Sequence, residues 1–199
     1  MQEENVPVVQ VDRQIDDEDT NAVLWEDFRL AYTLAEHVIE KGHTNVAIEN
    51  TRLGCSTGQH RLQGYLEAFR SQGIRIDEEN ISASNFEMQD AYEHVKSLLE
   101  KPKCPTCIIC SNNIMVKGSL KAIQEKGLSI PEDISICCFG NIETNEYSLT
   151  DITNIQQDTR LMGRKAGELL LSQINEENHC SVKIKLSGKM IERSSVRQI

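Results

Sequence analysis

Apolar residues recur along this chain in two alternating rhythms. From about Asp27 to Lys41, the positions Leu30, Ala31, Leu34, Ala35, Val38 and Ile39 form the stripe of an amphipathic helix, and Gly42 supplies its stop. Behind it, residues 45–49 (Asn-Val-Ala-Ile-Glu) read as a short strand. The alternation then repeats: a helix from about Gln59 to Gln72 closed by Gly73, strand 81–84, helix 89–100, strand 106–110, helix 114–126 closed by Gly127, and strand 134–139. Ahead of the series, Pro7-Val-Val-Gln-Val11 and Ala22 to Trp25 predict two short strands on either side of a polar loop around Asp16 to Asp19. After it, a turn-rich stretch leads to one more amphipathic helix, about 159–174, and to strands near 182–187 and 190–193.

Short strands alternating with helices build βαβ units and a parallel sheet. Residues 45–139 alone hold four strands and three intervening helices, so the fold class is α/β with a doubly wound parallel sheet, and right-handed crossovers leave few alternatives. Ligands bind such sheets at the carboxyl ends of the strands. The intervals that carry chemistry are therefore 50–61, 85–88, 111–113 and 140–143.

Composition adds an asymmetry. The 199 residues hold 21 Lys and Arg against 31 Asp and Glu, a formal net charge of −10. Residues 1–27 contain nine acids and one base, Arg13, for a net −8, while the other 172 residues net only −2. A chain this acidic lacks the clustered positive charge that grips nucleic acid. No apolar run approaches the roughly 20 residues of a membrane span, and no basic region precedes an apolar stretch as in a secretory signal. Seven cysteines, an odd number in a long chain, fit reduced thiols of a cytoplasmic protein better than a disulfide scaffold.

Catalytic and metal readings find little support. Cys104-Pro-Thr-Cys107 has the spacing of a thiol-disulfide motif, but Ile-Ile-Cys follows Cys107, a β-type run where a redox cysteine needs a helix start. Cys137-Cys138 are adjacent and point opposite ways in a strand, which is unsuited to zinc; small-hydrophobe packing is the plainer reading for the thiols. The acidic run Asp16 to Asp19 lacks the alternating ligands of a calcium loop. The five histidines show no metal spacing, and His43 reads as a helix-exit residue near the negative end of the helix dipole. There is no Gly-x-Ser-x-Gly elbow, phosphate-cradling glycine loop with Lys, or His-Glu-x-x-His. No catalytic residue and no cofactor are assigned.

The strand ends instead carry recognition chemistry. Arg61 comes early in the helix after the first central strand, where a guanidinium can fork onto vicinal hydroxyls or a carboxylate. Phe86 follows the second strand and offers a face for stacking on a sugar ring. Ser111-Asn112-Asn113 ends the third, and an Asn both donates and accepts, as polyol recognition requires. Gly140-Asn141 ends the fourth. Singly, each has a plainer reading: an exposed Arg is usually solvated, and an Asn after a strand usually caps the next helix. Their joint position at consecutive strand ends is what raises the binding reading beside the plain one.

Ordered segments over nearly the whole chain resemble the effector-binding region of lactose-repressor/galactose-repressor (LacI/GalR) type bacterial transcription regulators. They are Ala35-Glu-His-Val-Ile-Glu-Lys-Gly-His-Thr-Asn-Val-Ala-Ile48, Arg61-Leu-Gln-Gly-Tyr-Leu-Glu-Ala-Phe69, Pro105-Thr-Cys-Ile-Ile-Cys-Ser-Asn-Asn113 and Ile130-Pro-Glu-Asp-Ile-Ser-Ile136, followed by Leu149 to Asp158, Met162-Gly163 and Met190-Ile-Glu-Arg-Ser-Ser195. The resemblance implies a periplasmic-binding-protein-like fold: two α/β subdomains joined by crossovers near 24–27, 154–158 and 186–190, with a small polar effector such as a sugar in the cleft. It implies that residues 1–25 are a remnant of the N-terminal subdomain, 26–153 a complete C-terminal effector-binding and dimerisation subdomain, 154–187 the returning part of the first, and 188–199 a final strand and tail. Asp12 resembles the family Asp that reaches the ligand from the N-terminal subdomain. Arg61 matches the arginine that binds sugar hydroxyls, Asn112 the Asn of the usual Asn-Asp pair, Phe86 a stacking aromatic, and Gln157 a cleft residue near a crossover.

Three departures change what is expected. Cys138-Phe139-Gly140 stands where the family has Gly-Phe-Asp, removing a carboxylate for which Asn141 or Glu143 would substitute, and Asn113 removes a second charge. The family's helix-turn-helix domain and hinge, and the first βαβα stretch of the N-terminal subdomain, are not found ahead of Val6. Residues 26–153 are thus expected to be well ordered, with the N-terminal remnant mobile or paired with another chain. The partners implied are a small-molecule effector, a second copy through the C-terminal subdomain, and DNA only through the missing helix-turn-helix domain; no membrane and no enzyme activity are implied. A transport-type periplasmic sugar-binding protein and a thiol oxidoreductase using Cys104 and Cys107 are the alternatives.

Overall fold

The computed structural model describes residues 6–15, 20–52, 54–85, 87–142, 151–175 and 181–199. In chain order the elements are β1 (Val9–Val11), β2 (Asn21–Trp25), α1 (Asp27–Glu40), β3 (Val46–Thr51), α2 (Ser56–Ser71), β4 (Ile81–Ser84), α3 (Met88–Leu99), β5 (Cys107–Cys110), α4 (Asn113–Glu125), β6 (Ser135–Phe139), β7 (Thr153–Gln156), α5 (Thr159–Asn175), β8 (Lys183–Leu186) and β9 (Lys189–Ile191). They build two sheets. The larger has the order β4-β3-β5-β6-β7-β9, parallel except for β9, which runs antiparallel to β7. The smaller is β1-β2-β8, all parallel. The chain passes between them after Trp25, after Gln156 and between Leu186 and Lys189.

Strands β3, β5 and β6 are buried at every residue, which is why Val46–Ile48, Cys107–Cys110 and Ile136–Phe139 read as apolar runs and not as an alternation. One face of the large sheet packs Val46, Ile48, Ile109 and Phe139 against Leu34, Val38, Tyr65 and Phe69 of α1 and α2. The other packs Ala47, Ile108 and Ile136 against Val95, Leu98, Met115 and Ile123 of α3 and α4. Within each layer the helices touch at a glycine. A Cβ on Gly64 would strike the Phe28 carbonyl and Ala31, and one on Gly118 would strike the Met88 carbonyl and Ala91. In the small sheet, α5 covers one face through Met162 and Leu169, against Val23, Ile184 and Leu186. β1 pairs with β2 of its own chain and stands at the edge of the small sheet.

Three readings change. The helix expected from Gln59 starts at Ser56. A strand, β7, occupies part of the turn-rich stretch; its Thr-Asn-Ile-Gln sequence has one apolar residue, yet Thr153 and Asn154 are buried. Thr153 is satisfied by the C-terminal tail, donating its N–H to Ser195 Oγ at 2.9 Å and accepting from Arg193 N at 3.0 Å. His43 is a helix-exit residue, its N–H bonded to the Val38 carbonyl at 3.2 Å, but its ring is turned inward. It is fully buried, with Nδ1 at 2.9 Å from Thr106 Oγ1 and Nε2 at 3.1 Å from the Arg197 carbonyl, so it ties the tail to the sheet.

Candidate functional site

The parallel strands of the large sheet all end at one edge, and Arg61 lies across that edge. It enters from the second turn of α2, whose buried face carries Thr57, Arg61, Gly64, Tyr65 and Ala68. Its Nε donates to Asp27 Oδ1 and its Nη1 to the Ser111 carbonyl, both at 2.7 Å, and its guanidinium carbon sits 4.0 Å from the centre of the Phe139 ring. Two bonds and an aromatic face thus fix a nearly buried cation. Asp27 is 3% exposed. Burial pushes its carboxyl above the ordinary range, Arg61 opposes that shift without cancelling it, and the charge of Asp12 adds to it.

Around Arg61 the strand ends supply polar groups. Asn50 Oδ1 accepts from Ser111 Oγ at 2.8 Å, and its Nδ2 donates to the carbonyls of Thr51 and Gly58. Asn112 caps α4, its Oδ1 accepting from Met115 N at 3.0 Å, so the plain reading of this residue holds. That bond leaves the Asn112 Nδ2 group buried without a partner. The same is true of Thr51 Oγ1, Ser84 Oγ, Asn154 Oδ1 and Gln157 Nε2. These five groups lie at or near the carboxyl ends of β3, β4, β5 and β7, and buried polar groups ordinarily find partners.

The predicted site residues divide into distinct places. Arg61 and Asn112 belong to this cluster. Gly140 adopts φ +120°, a backbone state that side chains rarely take. Asn141 is engaged at both ends of its amide: Nδ2 donates to the Gln157 carbonyl and Oδ1 accepts from Gln157 N, each at 2.8 Å. It splices β6 to β7 and has little left to replace a carboxylate. Gln157 joins the cluster through its buried Nε2. Asn113 is exposed in the first turn of α4. Phe86, Glu143 and Asp16 to Asp19 lie outside the described residues.

Asp12 stands on the other wall. It ends β1 with φ +66° and donates its N–H to the Val23 carbonyl. With Asp27, Trp25, Ser56 and His60 it lines a cavity of about 430 Å³ that runs over Leu24, Lys183 and Lys185 of the small sheet. The loop after β1 bridges the two walls, Gln14 N donating to Ser56 Oγ at 3.0 Å. Cys55, at the start of α2, shares this corner. Burial works against its ionisation, but bonds from Thr57 and the Gly58 N–H, with Arg13 nearby, hold the thiol below its ordinary pKa. By contrast Cys104 is exposed and Cys107 is buried at the first residue of β5, so that pair lacks the helix start of a redox motif. No metal-binding group of three side chains occurs among the described residues, and no helix among them is long and apolar enough to cross a membrane.

Residues 35–196 match the model of the periplasmic binding protein-like domain. The chain belongs to that family. Within it, the chain is an effector-binding region of the LacI/GalR type. It is 30% identical over 193 residues to the HTH-type transcriptional repressor PurR of Pasteurella multocida, an alignment covering 97% of this chain and 58% of the repressor. A crystal structure of a LacI-family regulatory protein from Chloroflexus aggregans superposes with a TM-score of 0.89 at 26% identity, covering 98% of this chain and 70% of that one. A LacI-family regulator from Enterococcus faecium, solved with bound ribose, shares the fold with a TM-score of 0.88 at 24% identity, covering 100% and 73%.

Asp27, Asn50, Thr51, Ser84, Ser111, Phe139 and Asn154 were missed as site residues. The strand-end intervals contain Asn50, Thr51 and Ser111. Asp27 follows β2 of the small sheet, outside the four strand-end intervals of the large one.

Proposed function

We propose that this chain is the effector-sensing part of a bacterial LacI/GalR-type transcription repressor, and that its effector is a small neutral polyol such as a sugar. The carrying observation is the set of buried, unpartnered polar groups around Arg61: one amide donor fixed by its cap, one amide oxygen fixed by its bond to Gly140, two hydroxyls and one further amide. A sugar hydroxyl donates and accepts at once, which suits such a mixed set better than an anion or an apolar ring would. The ribose held by the Enterococcus faecium regulator supports the same class. In this reading residues 26–153 are the C-terminal subdomain and 1–25 with 154–187 part of the N-terminal one. Asp12 meets the effector from the wall opposite Asn112 and Gln157, while Asp27 holds Arg61 in place. Binding favours one arrangement of the two walls and so shifts DNA affinity in a longer, cytoplasmic protein that dimerises through the C-terminal subdomain and carries a helix-turn-helix domain.

Thermal shift against pentoses, hexoses and their phosphates is the first test. A neutral sugar is expected to raise Tm with concentration, and Asn112→Asp, which keeps the capping oxygen but loses the free donor, is expected to weaken the response about tenfold or more. A longer form that binds operator DNA but responds to no sugar would sink the polyol reading.

A further inference from the structure

We propose that His94 and Glu49 form a proton-operated latch that holds α3 and β4 to the central strand β3 and releases as pH rises. Glu49 is fully buried in β3. Its Oε2 accepts from Ser82 Oγ of β4 at 2.6 Å, and its Oε1 lies 2.6 Å from His94 Nδ1 of α3. The other ring nitrogen, Nε2, lies 3.1 Å from the Glu79 carbonyl. A carboxylate and a carbonyl can only accept, so both ring nitrogens must carry protons, and the ring that fits this geometry is the imidazolium. A buried carboxylate is costly unless paired, and the other groups around the pair do not serve. Lys101, just beyond α3, is bonded to the Glu79 carboxylate at 3.0 Å and its charge opposes that of His94. Cys110 of β5, which feels the charge of Glu49, is held as a neutral thiol by burial. Ser82 contributes one hydrogen bond without charge.

The direction of the response follows. Burial works against a charged His94, but the bonds to Glu49 and to the Glu79 carbonyl outweigh it, and the ring titrates above its ordinary value. The stabilisation is therefore complete below about pH 6.5 and is lost as pH climbs through the raised value. A neutral ring leaves Glu49 without a cation and turns a lone pair toward either the Glu79 carbonyl or the Glu49 carboxylate, according to its tautomer. The latch adjoins the site: Asn50 and Thr51 follow Glu49 directly, and the Glu49 carbonyl accepts from Ser111 N at 2.8 Å, the residue whose carbonyl holds Arg61.

The test uses the whole chain and no effector. Proton NMR of the His94 ring is expected to give a midpoint above about 6.5, falling in Glu49→Gln. Between pH 6 and 8.5 the Tm of the unmodified protein is expected to drop by several degrees more than that of His94→Gln. A His94 midpoint at or below the ordinary value overturns the proposal, as does an equal Tm slope in His94→Gln. If Glu49→Gln does not fold, the wild-type midpoint and the His94→Gln slope decide between the same two outcomes.

Discussion

The two sheets of this molecule obey the same connection rules and are finished to different degrees. In the six-stranded sheet the central strands are buried at every position, with a helix pair on each face. In the three-stranded sheet β2 is equally buried, but β1 has no fully buried residue and β8 alternates, with Lys183 and Lys185 exposed. Parallel strands are normally covered on both faces; here one face has α5 and the other has the cavity over Leu24 and the two lysines. Asp12, on the small sheet, lines that cavity with Ser56 and His60 of α2, the helix that carries Arg61 on the large one. One wall of the candidate site is therefore set in a dense core and the other rests on a thin support.

The largest expected effects test that contrast directly. Phe69→Ala, deep in the α1–α2 layer, is expected to cost about 3–5 kcal/mol, whereas Ile184→Ala, half-buried on β8, is expected to cost about 1–2 kcal/mol. Urea unfolding of both variants measures the ratio, and equal losses would remove the asymmetry. Close behind comes the ion pair at the boundary. Asp27→Ala leaves Arg61 as a buried cation with one remaining main-chain bond, for an expected loss of about 3–5 kcal/mol. Since burial already raises the Asp27 carboxyl, Asp27→Asn, which can still accept from Nε, is expected to cost distinctly less. If the two substitutions cost the same, the hydrogen bond contributes nothing beyond the charge.

How much of this was legible in the sequence follows the same divide. The alternation from 27 to 139 carries α1 to α4 and β3 to β6 to within a few residues, because strands buried on both faces and helices striped on one are the two strongest patterns a chain can carry. β7 was not legible: Thr153 and Asn154 look like turn residues, and only the distant Ser195 and Arg193 make their burial tolerable. The strand-end rule pointed to the correct edge and to Arg61 and Asn112. It could not show that Arg61 is anchored by Asp27, because that contact joins residues 34 positions apart across a crossover. Nor could it show that Asn141 is consumed in splicing β6 to β7, since an exposed Asn after a strand looks the same whether bonded or free.

Smaller effects of opposite sign come from glycines in the two regions. Gly118→Ala pushes a methyl group into the Met88 carbonyl and Ala91 and is expected to cost about 1–3 kcal/mol by forcing α3 from α4. Gly167→Ala, in α5, meets nothing within 4 Å and is expected to stabilise the protein by about 0.5–1 kcal/mol through helix propensity alone. Loss of stability in Gly167→Ala would mean that α5 packs more closely on the small sheet than its open glycine face implies.

The smallest effect separates the two regions by pH. His43 has no carboxylate against its ring; burial, together with the charges of Arg197 and His37, lowers its pKa, and the Arg197 carbonyl only partly opposes this. A histidine with a depressed folded value stabilises the protein above its ordinary pKa of about 6.5 and loses that contribution as pH falls. His37 is lowered in the same direction, chiefly by burial. This is the reverse of His94, so Tm should pass through a maximum near neutrality, with an acid limb from His43 and His37 and an alkaline limb from His94. All three side chains belong to the large layer and its helices, and none to the small sheet. His43→Gln should flatten the limb between about pH 5 and 6.5 while leaving the alkaline limb in place. An acid limb that survives both His43→Gln and His37→Gln would have to arise elsewhere, and the first place to look would be a carboxylate that its partner holds below the ordinary value, such as Glu192 bonded to Lys41.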